Sequence, residues 1–468
     1  MAFYEPTELR HWNKEKAYYG YTLFGAGGTS YLIDMEGRVV NTWPRGDRPQ
    51  MLENGNVLDT NTDKDEQISG FQEFDWGGNI VWEYQDTRER YSPHHDFRRI
   101  FNKKLNAYTI IYIANRAIYR EEAIALGCIP ENANDGSIDT LVEADMDGNV
   151  VWEWRFIDHF VQDIDPVKPN YVGKGKTMAD YPGRLNINMP GKPIRRDWLH
   201  CNSMDYNAEL DQCVINTVQG EFYVIDHGNT FVPGDPEGSI ALAAGPAGDF
   251  LYRFGDPARY EQGEPPSIQM DWTASSTGTK QIGGSHDIQW IKAGLPGAGH
   301  LLVFNNAQYL FERTQQSYIM EINGFLDASG KDTGNYVNPP DAGYYTWEPP
   351  DPRSTHKQPK QTSNQAVWIY GAKSNPAFFS HIASGCQRLP NGNTLICATT
   401  DGHIFEVSPD GEVVWEYINP ITREGDILDV MQDCYPLTHY VWRAYRYGTD
   451  HPALAGKDLT PGRTIVGK

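Results

Sequence analysis

Short runs of β-branched and aromatic residues recur along the chain, most of them launched from a polar turn that carries glycine. The clearest are Asp75-Trp76-Gly77-Gly78-Asn79-Ile80-Val81-Trp82-Glu83-Tyr84, Asp145-Met146-Asp147-Gly148-Asn149-Val150-Val151-Trp152-Glu153-Trp154 and Pro409-Asp410-Gly411-Glu412-Val413-Val414-Trp415-Glu416-Tyr417. Weaker copies start at Gly37, Gly248 and Ala366, which brings the count to six. The Asp-Gly or Gly-Gly pair supplies the positive φ that a tight hairpin needs, and the run behind it suits a strand. A second hairpin signal, Asn-Gly-Asn, stands at Asn54-Gly55-Asn56 and Asn391-Gly392-Asn393. Together the two signals divide the segment from Phe379 to Tyr417 into four strands: His381 to Leu389, Thr394 to Thr399, His403 to Val407 and Glu412 to Tyr417.

Four antiparallel strands joined by hairpins make one propeller blade, and a period of this length is the mark of a blade repeat. Six phrases predict an all-β chain, a six-bladed β-propeller with four antiparallel strands per blade and each Trp-Glu-Tyr phrase outermost. The chain opens in mid-blade, with Thr29 to Ile33 and Arg38 to Trp43 reading as third and fourth strands. It ends with two strand-like runs, Ile427 to Gln432 and His439 to Tyr447. The N-terminal strands are therefore expected to complete the last blade. Helical periodicity is confined to a short stretch near Arg120 to Leu126. Residues 1–468 read as one domain, because each blade buries its faces on its neighbours. Inserts at about 132–137, 163–194, 256–279 and 327–361 are expected to rim one mouth of the channel.

Composition narrows the function. A formal charge of −22 argues against nucleic acid, which needs a basic footprint, and against an anionic membrane surface. No run of about 20 apolar residues could span a bilayer. The start, Met1-Ala2-Phe3-Tyr4-Glu5-Pro6, lacks a basic-then-apolar leader, so the expected location is cytoplasmic, or exported if the sequence is a mature form. The six cysteines include no CxxC pair, which removes zinc-knuckle and thioredoxin readings. A two-residue turn at Asn391-Gly392 would set Cys386 opposite Cys397 at about 5.5 Å between Cα atoms, within disulfide range. Two packed thiols are the preferred expectation there and a bridge the alternative.

Candidate chemistry rests on histidines. His95 and His381 each follow an aromatic of the phrase, Trp82 and Trp368, by 13 residues, while His200 and His286 follow Trp152 and Tyr252 by longer spacings that contain the inserts. Four innermost strands are therefore expected to start with a histidine aimed at one axis. Any one of them alone reads as a core histidine bonded to a carbonyl, but four in equivalent places read as a site. His94 is expected to face away from it, since adjacent strand residues point to opposite faces, and His227 to sit in a turn. Clustered imidazoles can form a covalent intermediate on nitrogen, bind an anion or move protons, or hold a transition metal. Arg313 is the candidate fixed cation.

The chain resembles the arylsulfate sulfotransferases. The resemblance runs from Tyr21-Thr22-Leu23-Phe24 through the Trp-Glu-Tyr phrases to Val441-Trp442-Arg443-Ala444-Tyr445-Arg446-Tyr447. It includes Asp197-Trp198-Leu199-His200-Cys201-Asn202-Ser203, Ser285-His286-Asp287-Ile288-Gln289-Trp290 and Ser380-His381 with Gln387-Arg388-Leu389-Pro390-Asn391-Gly392-Asn393. It implies a six-bladed propeller that moves a sulfuryl group between phenols without a cofactor, on a small aromatic substrate. It also implies His381 as the nucleophile, His200 and His286 as ligands of the sulfate oxygens, Arg313 as the cationic clamp and His95 as the acid or base. The fourth histidine keeps two alternatives open: a lyase or hydrolase with a divalent transition metal held by His95, His200, His286 and His381, and a propeller that only binds. Oligomeric state is not legible in the sequence.

Overall fold

The computed structural model describes residues 6–62, 68–190, 192–265, 278–307, 316–343, 363–371, 378–430 and 438–467. The chain is a six-bladed β-propeller, built of six antiparallel sheets, five of four strands and one of five. In chain order the outermost strands are Val39–Pro44, Ile80–Tyr84, Val150–Arg155, Tyr252–Phe254, Ala366–Tyr370 and Val413–Ile418. Each carries one copy of the repeated phrase. The α-helices among the described residues are Arg120–Ala125, where the sequence predicts one, and Pro236–Ala243, which it does not; neither is long and apolar enough to cross a membrane. The second starts on Asp235, whose side chain accepts from the Gly238 N–H, with Pro236 in its first turn, a combination that favours initiation.

The turns explain the phrase. Asp145 N–H donates to the Asn149 carbonyl and Gly148 N–H to the Asp145 carbonyl, which closes a three-residue loop with Gly148 at φ 90°. The Asp145 side chain also accepts from the N–H groups of Asp147 and Asn149. A residue with a Cβ is strained at that φ, so glycine recurs there. Asn391-Gly392 turns the same way: Leu389 pairs with Asn393 and Gly392 N–H donates to the Leu389 carbonyl. The loop thus has three residues, one more than expected, and the register slips by one. Cys386 stands opposite Ile396, and Cys397 opposite Gly385. A one-residue slip moves a side chain to the other face; Cys386 and Cys397 are both free thiols, as the preferred expectation had them.

Contacts divide the chain into two compact units, residues 1–85, 291–306 and 377–468, and residues 86–290 and 307–376. In the first unit, Gly20–Ala26, Thr29–Ile33 and Val39–Pro44 form the second to fourth strands of a blade whose innermost strand, Ala444–Gly448, comes from the other end of the chain. Within the run Ile427 to Gln432 the pairing is limited to isolated bridges, Ile427 with Ile421 and Val430 with Pro6, and Gln432 is outside the described residues. A strand that the sequence does not announce, Glu8–Trp12, pairs with Val413–Ile418 as a fifth member of its sheet. Indole N–H groups of the outer strands tie blades together: Trp43 donates to the Asp75 carbonyl at 2.8 Å and Trp415 to that of Met35 at 3.0 Å. Arg446 and Glu406, both fully buried, pair at 2.6 Å under Trp415.

The second unit packs a large apolar core in which Trp152, Trp154, Trp198 and Tyr223 are fully buried. Of the expected inserts, 132–137 and, residue 191 apart, 163–194 are described, and the latter carries Leu185–Asn186, which pairs in parallel with Phe160–Val161. Parts of the inserts near 256–279 and 327–361 lie outside the described residues.

Candidate functional site

Of the histidines singled out in the sequence, His95, His200 and His286 belong to the second unit and His381 to the first. Arg313 lies outside the described residues. In the second unit the innermost strands Tyr91–Asn102, Cys201–Asn207 and His286–Trp290 are stitched side by side by side chains. Asp96 accepts from the Met204 N–H at 3.0 Å, Ser203 from the Ile288 N–H at 3.1 Å and Asp205 from the Trp290 N–H at 2.9 Å. This stitching fixes equivalence from strand to strand. Asp96 matches Ser203, so His95 matches Asn202, and His286 holds the same place in the next strand. His200 lies two residues earlier, ahead of a bulge between Cys201 and Ser203.

His200 nevertheless meets His95, because both have left-handed backbones, at φ 52° and 56°. Their rings stand at 4.6 Å between centroids and 73° between planes. Non-glycine residues in this region carry strain, and such strain gathers at functional sites. The same twist overturns one expectation: His94 is not turned away. Its Nδ1 is 2.7 Å from Nδ1 of His95, and its Nε2 is 3.0 Å from Oδ1 of Asp139. Strand alternation holds only while the backbone stays extended, and at His95 it does not.

Two carboxylates complete the cluster, and sequence reasoning missed both. Asp197 accepts a very short hydrogen bond from Nδ1 of His200, and Asn115 reaches its other oxygen at 3.4 Å. Asp139, fully buried, accepts from the Cys201 N–H at 3.1 Å. Burial alone would push the Asp197 carboxyl up, but the hydrogen bond from His200 and the nearby charges of His94 and His200 outweigh it and hold it at about 2. For His200 burial works downward, and the hydrogen bond and charge of Asp197, with that of Asp139, raise it above the usual imidazole range. Burial, with Asp139 and Asp197 close by, pushes the Cys201 thiol far up, which removes it as a nucleophile. Asp-x-x-His at 197–200 was the available signal for Asp197. Nothing local marks Asp139, which is one of several acids on the long strand Gly136–Asp145.

His286 is 4% exposed, and its Nδ1 is 2.8 Å from the Gly284 carbonyl. A carbonyl only accepts, so Nδ1 carries a proton, and in the neutral imidazole Nε2 then holds the lone pair. In the first unit, the half-buried His381 has its ring centroid 6.3 Å from that of Phe379. Burial raises the neighbouring Asp401 carboxyl against the pull of His403 and His381. His227 is more than a turn residue. Fully buried, it spans Asp211 at 2.6 Å and Glu143 at 2.8 Å, and these bonds outweigh burial and raise it to about 9.

Comparison with known proteins gives one family match, to Arylsulfotransferase (ASST), over residues 27–324. No curated protein matches. Among solved structures, the chain is similar to a protein of unknown function from Bacteroides caccae, at 11% identity over 89% of this chain and 100% of that one, with a TM-score of 0.40. It is also similar to a streptogramin B lyase, at 8% identity over 94% and 97% with a TM-score of 0.36. For virginiamycin B lyase from Staphylococcus aureus the figures are 9%, 89%, 88% and 0.33.

Proposed function

Because the chain belongs to the arylsulfotransferase family, we propose that it moves a sulfuryl group from a phenolic sulfate ester to a second phenol by way of a sulfated histidine. The fixed tautomer of His286 carries this reading. With its proton committed to the Gly284 carbonyl, Nε2 presents a lone pair from a buried position. Attack of Nε2 on sulfur forms the N–S bond as the S–O bond to the donor phenol breaks, and that phenolate leaves with a proton. The acceptor phenol then loses its proton, its oxygen takes the sulfuryl group, and the N–S bond breaks. Covalent catalysis of this kind splits one hard step into two easier ones.

His200 suits a different part. Asp197 favours its charged form, and a cationic N–H aimed at a sulfuryl oxygen is worth most where charge gathers in the transition state. His95, ring to ring with His200, supplies a second donor or the acid that meets the leaving phenolate. In this reading His286 takes the role that the resemblance gave to His381. The natural donor and acceptor are phenols, matched to the family.

The test is turnover of p-nitrophenyl sulfate with phenol, followed by intact mass and peptide mapping after a short incubation with donor alone. The expected result is turnover and an acid-labile adduct about 80 Da heavier on the His286 peptide, lost in His286→Ala. Label on the His381 peptide would return the nucleophile to His381 and leave sulfuryl transfer standing. Absence of both turnover and adduct would sink the proposal.

A further inference from the structure

The geometry points to a divalent transition-metal site on His94, Asp139 and Asp197, beside the proposed chemistry and resting on different observations. One ligand atom from each residue, an imidazole nitrogen and two carboxylate oxygens, lies within 4.8 Å of the others. Tetrahedral ligands at roughly 2.0–2.1 Å from zinc stand about 3.4 Å apart, so a small closure brings the three onto one ion. His94 Nε2 and Asp139 Oδ1 already stand at 3.0 Å.

A second observation is the state of the polar atoms themselves. Asp139 is fully buried, and its Oδ2 has no hydrogen-bond partner; Nε2 of His94, also buried, faces Asp139 without the angle of a hydrogen bond. Buried polar atoms left without a partner destabilise the fold. An unpartnered imidazole nitrogen against Oδ1 of a carboxylate whose Oδ2 is also unpartnered, with a second carboxylate close by, describes a place for a cation better than a place for a hydrogen bond. A shared ion would satisfy both and offset the repulsion between Asp139 and Asp197.

The donor set selects the ion. One imidazole and two carboxylates suit Zn²⁺ or Mn²⁺, whereas Mg²⁺ prefers oxygen alone and keeps its waters. The outer partners are also those of a metal site. A ligating imidazole donates its other N–H to a neighbour, and a ligating carboxylate is itself hydrogen-bonded. With Nε2 on the ion, His94 would donate from Nδ1 to Nδ1 of His95 along the 2.7 Å contact, which leaves the His95 proton on Nε2. Asp197 holds His200 through its short hydrogen bond. The ion therefore sets the tautomer of one site imidazole and shares a carboxylate with another.

Isothermal titration with Zn²⁺ of the untagged full chain, stripped with EDTA, tests this without any turnover assay. The expected result is one ion per chain, with Mg²⁺ failing to compete. Asp139→Asn and His94→Gln should each weaken Zn²⁺ by more than the roughly 10- to 100-fold that outer-shell changes produce. His403→Ala, which removes an imidazole paired with Glu416 in the other unit, should bind as the native chain does. Circular dichroism identifies any variant that has not folded, and the folded one then decides. Absence of stoichiometric Zn²⁺ binding, or undiminished binding in the folded variants, overturns the site. Either result leaves the sulfuryl-transfer reading untouched, and loss of turnover with intact binding would do the reverse.

Discussion

Replacing Asp197 by asparagine keeps the shape of the side chain and removes its charge, so in the EDTA-stripped chain it isolates what the carboxylate does to His200. The Asp197 carboxyl stands at about 2 against an ordinary value near 3.8, which at about 1.36 kcal/mol per pKa step is about 2.4 kcal/mol of interaction with its cationic neighbours. Burial opposes that shift, so the attraction itself is larger. His200 holds the short hydrogen bond and His94 contributes at longer range, so most of the loss should fall on His200. The sign is fixed. His200 is raised in the native chain, and its cationic form is therefore favoured below that raised pKa and lost as pH climbs through it. Asp197→Asn should lower the His200 midpoint, read by NMR of labelled imidazole, and move the basic limb of kcat/KM down with it. Activity at neutral pH should drop about 10- to 100-fold as the cationic donor is lost. A midpoint and limb that stay in place would refute the argument that Asp197 holds His200 charged.

Other consequences follow from groups outside the site. His227 is raised from 6.5 to about 9 by Asp211 and Glu143, so its contribution, about 3 kcal/mol, should be fully present below pH 6.5 and lost as pH rises through 9. Denaturant melts from pH 6 to 10 should show that decline in the native chain and not in His227→Gln, which should itself be destabilised by roughly 3–5 kcal/mol because the buried Glu143 and the half-buried Asp211 lose the cation between them. Cys386 and Cys397 should both alkylate after denaturation without reductant, since their register sets them in non-opposed positions; recovery of a linked peptide would contradict that register.

The blades were legible because their signals are local. A glycine at positive φ and the acceptor two or three residues before it fix a hairpin without help from the rest of the chain, and all six phrases became outer strands. What failed was counting and distance. At Asn391-Gly392 the dipeptide marks a turn of either two or three residues, and the choice moved Cys397 to the other face. Glu8–Trp12 was missed because its partner, Val413–Ile418, is almost a whole chain away, and its own run mixes charged with apolar residues. Spacing put His95, His200 and His286 at one level of neighbouring strands, but His200 stands two residues out of that register, because a bulge beside it cannot be seen in a pattern of period two. Asp139 was invisible for another reason. It matters through neighbours on other strands, and nothing in its own segment says so.

The alternation rule fails where the imidazoles meet, and that coincidence can be tested apart from any chemistry. His95 at φ 56° sits where an L-residue pays about 1–2 kcal/mol relative to glycine. Its neighbours in the cluster, Asp197 at 55° and His200 at 52°, are held likewise, so the surrounding sheets must be enforcing the conformation. His95→Gly and His95→Ala both remove the imidazole and its contacts to His94 and His200. They differ only in the Cβ. In an ordinary strand alanine is the more stable of the two, because glycine loses more freedom on folding. Here the order should invert, with His95→Gly more stable than His95→Ala by about 1–2 kcal/mol in urea melts, since only glycine accepts the left-handed backbone without strain. If alanine is equal or better, the backbone at His95 is not strained, and the reason given for His94 turning toward the site falls with it.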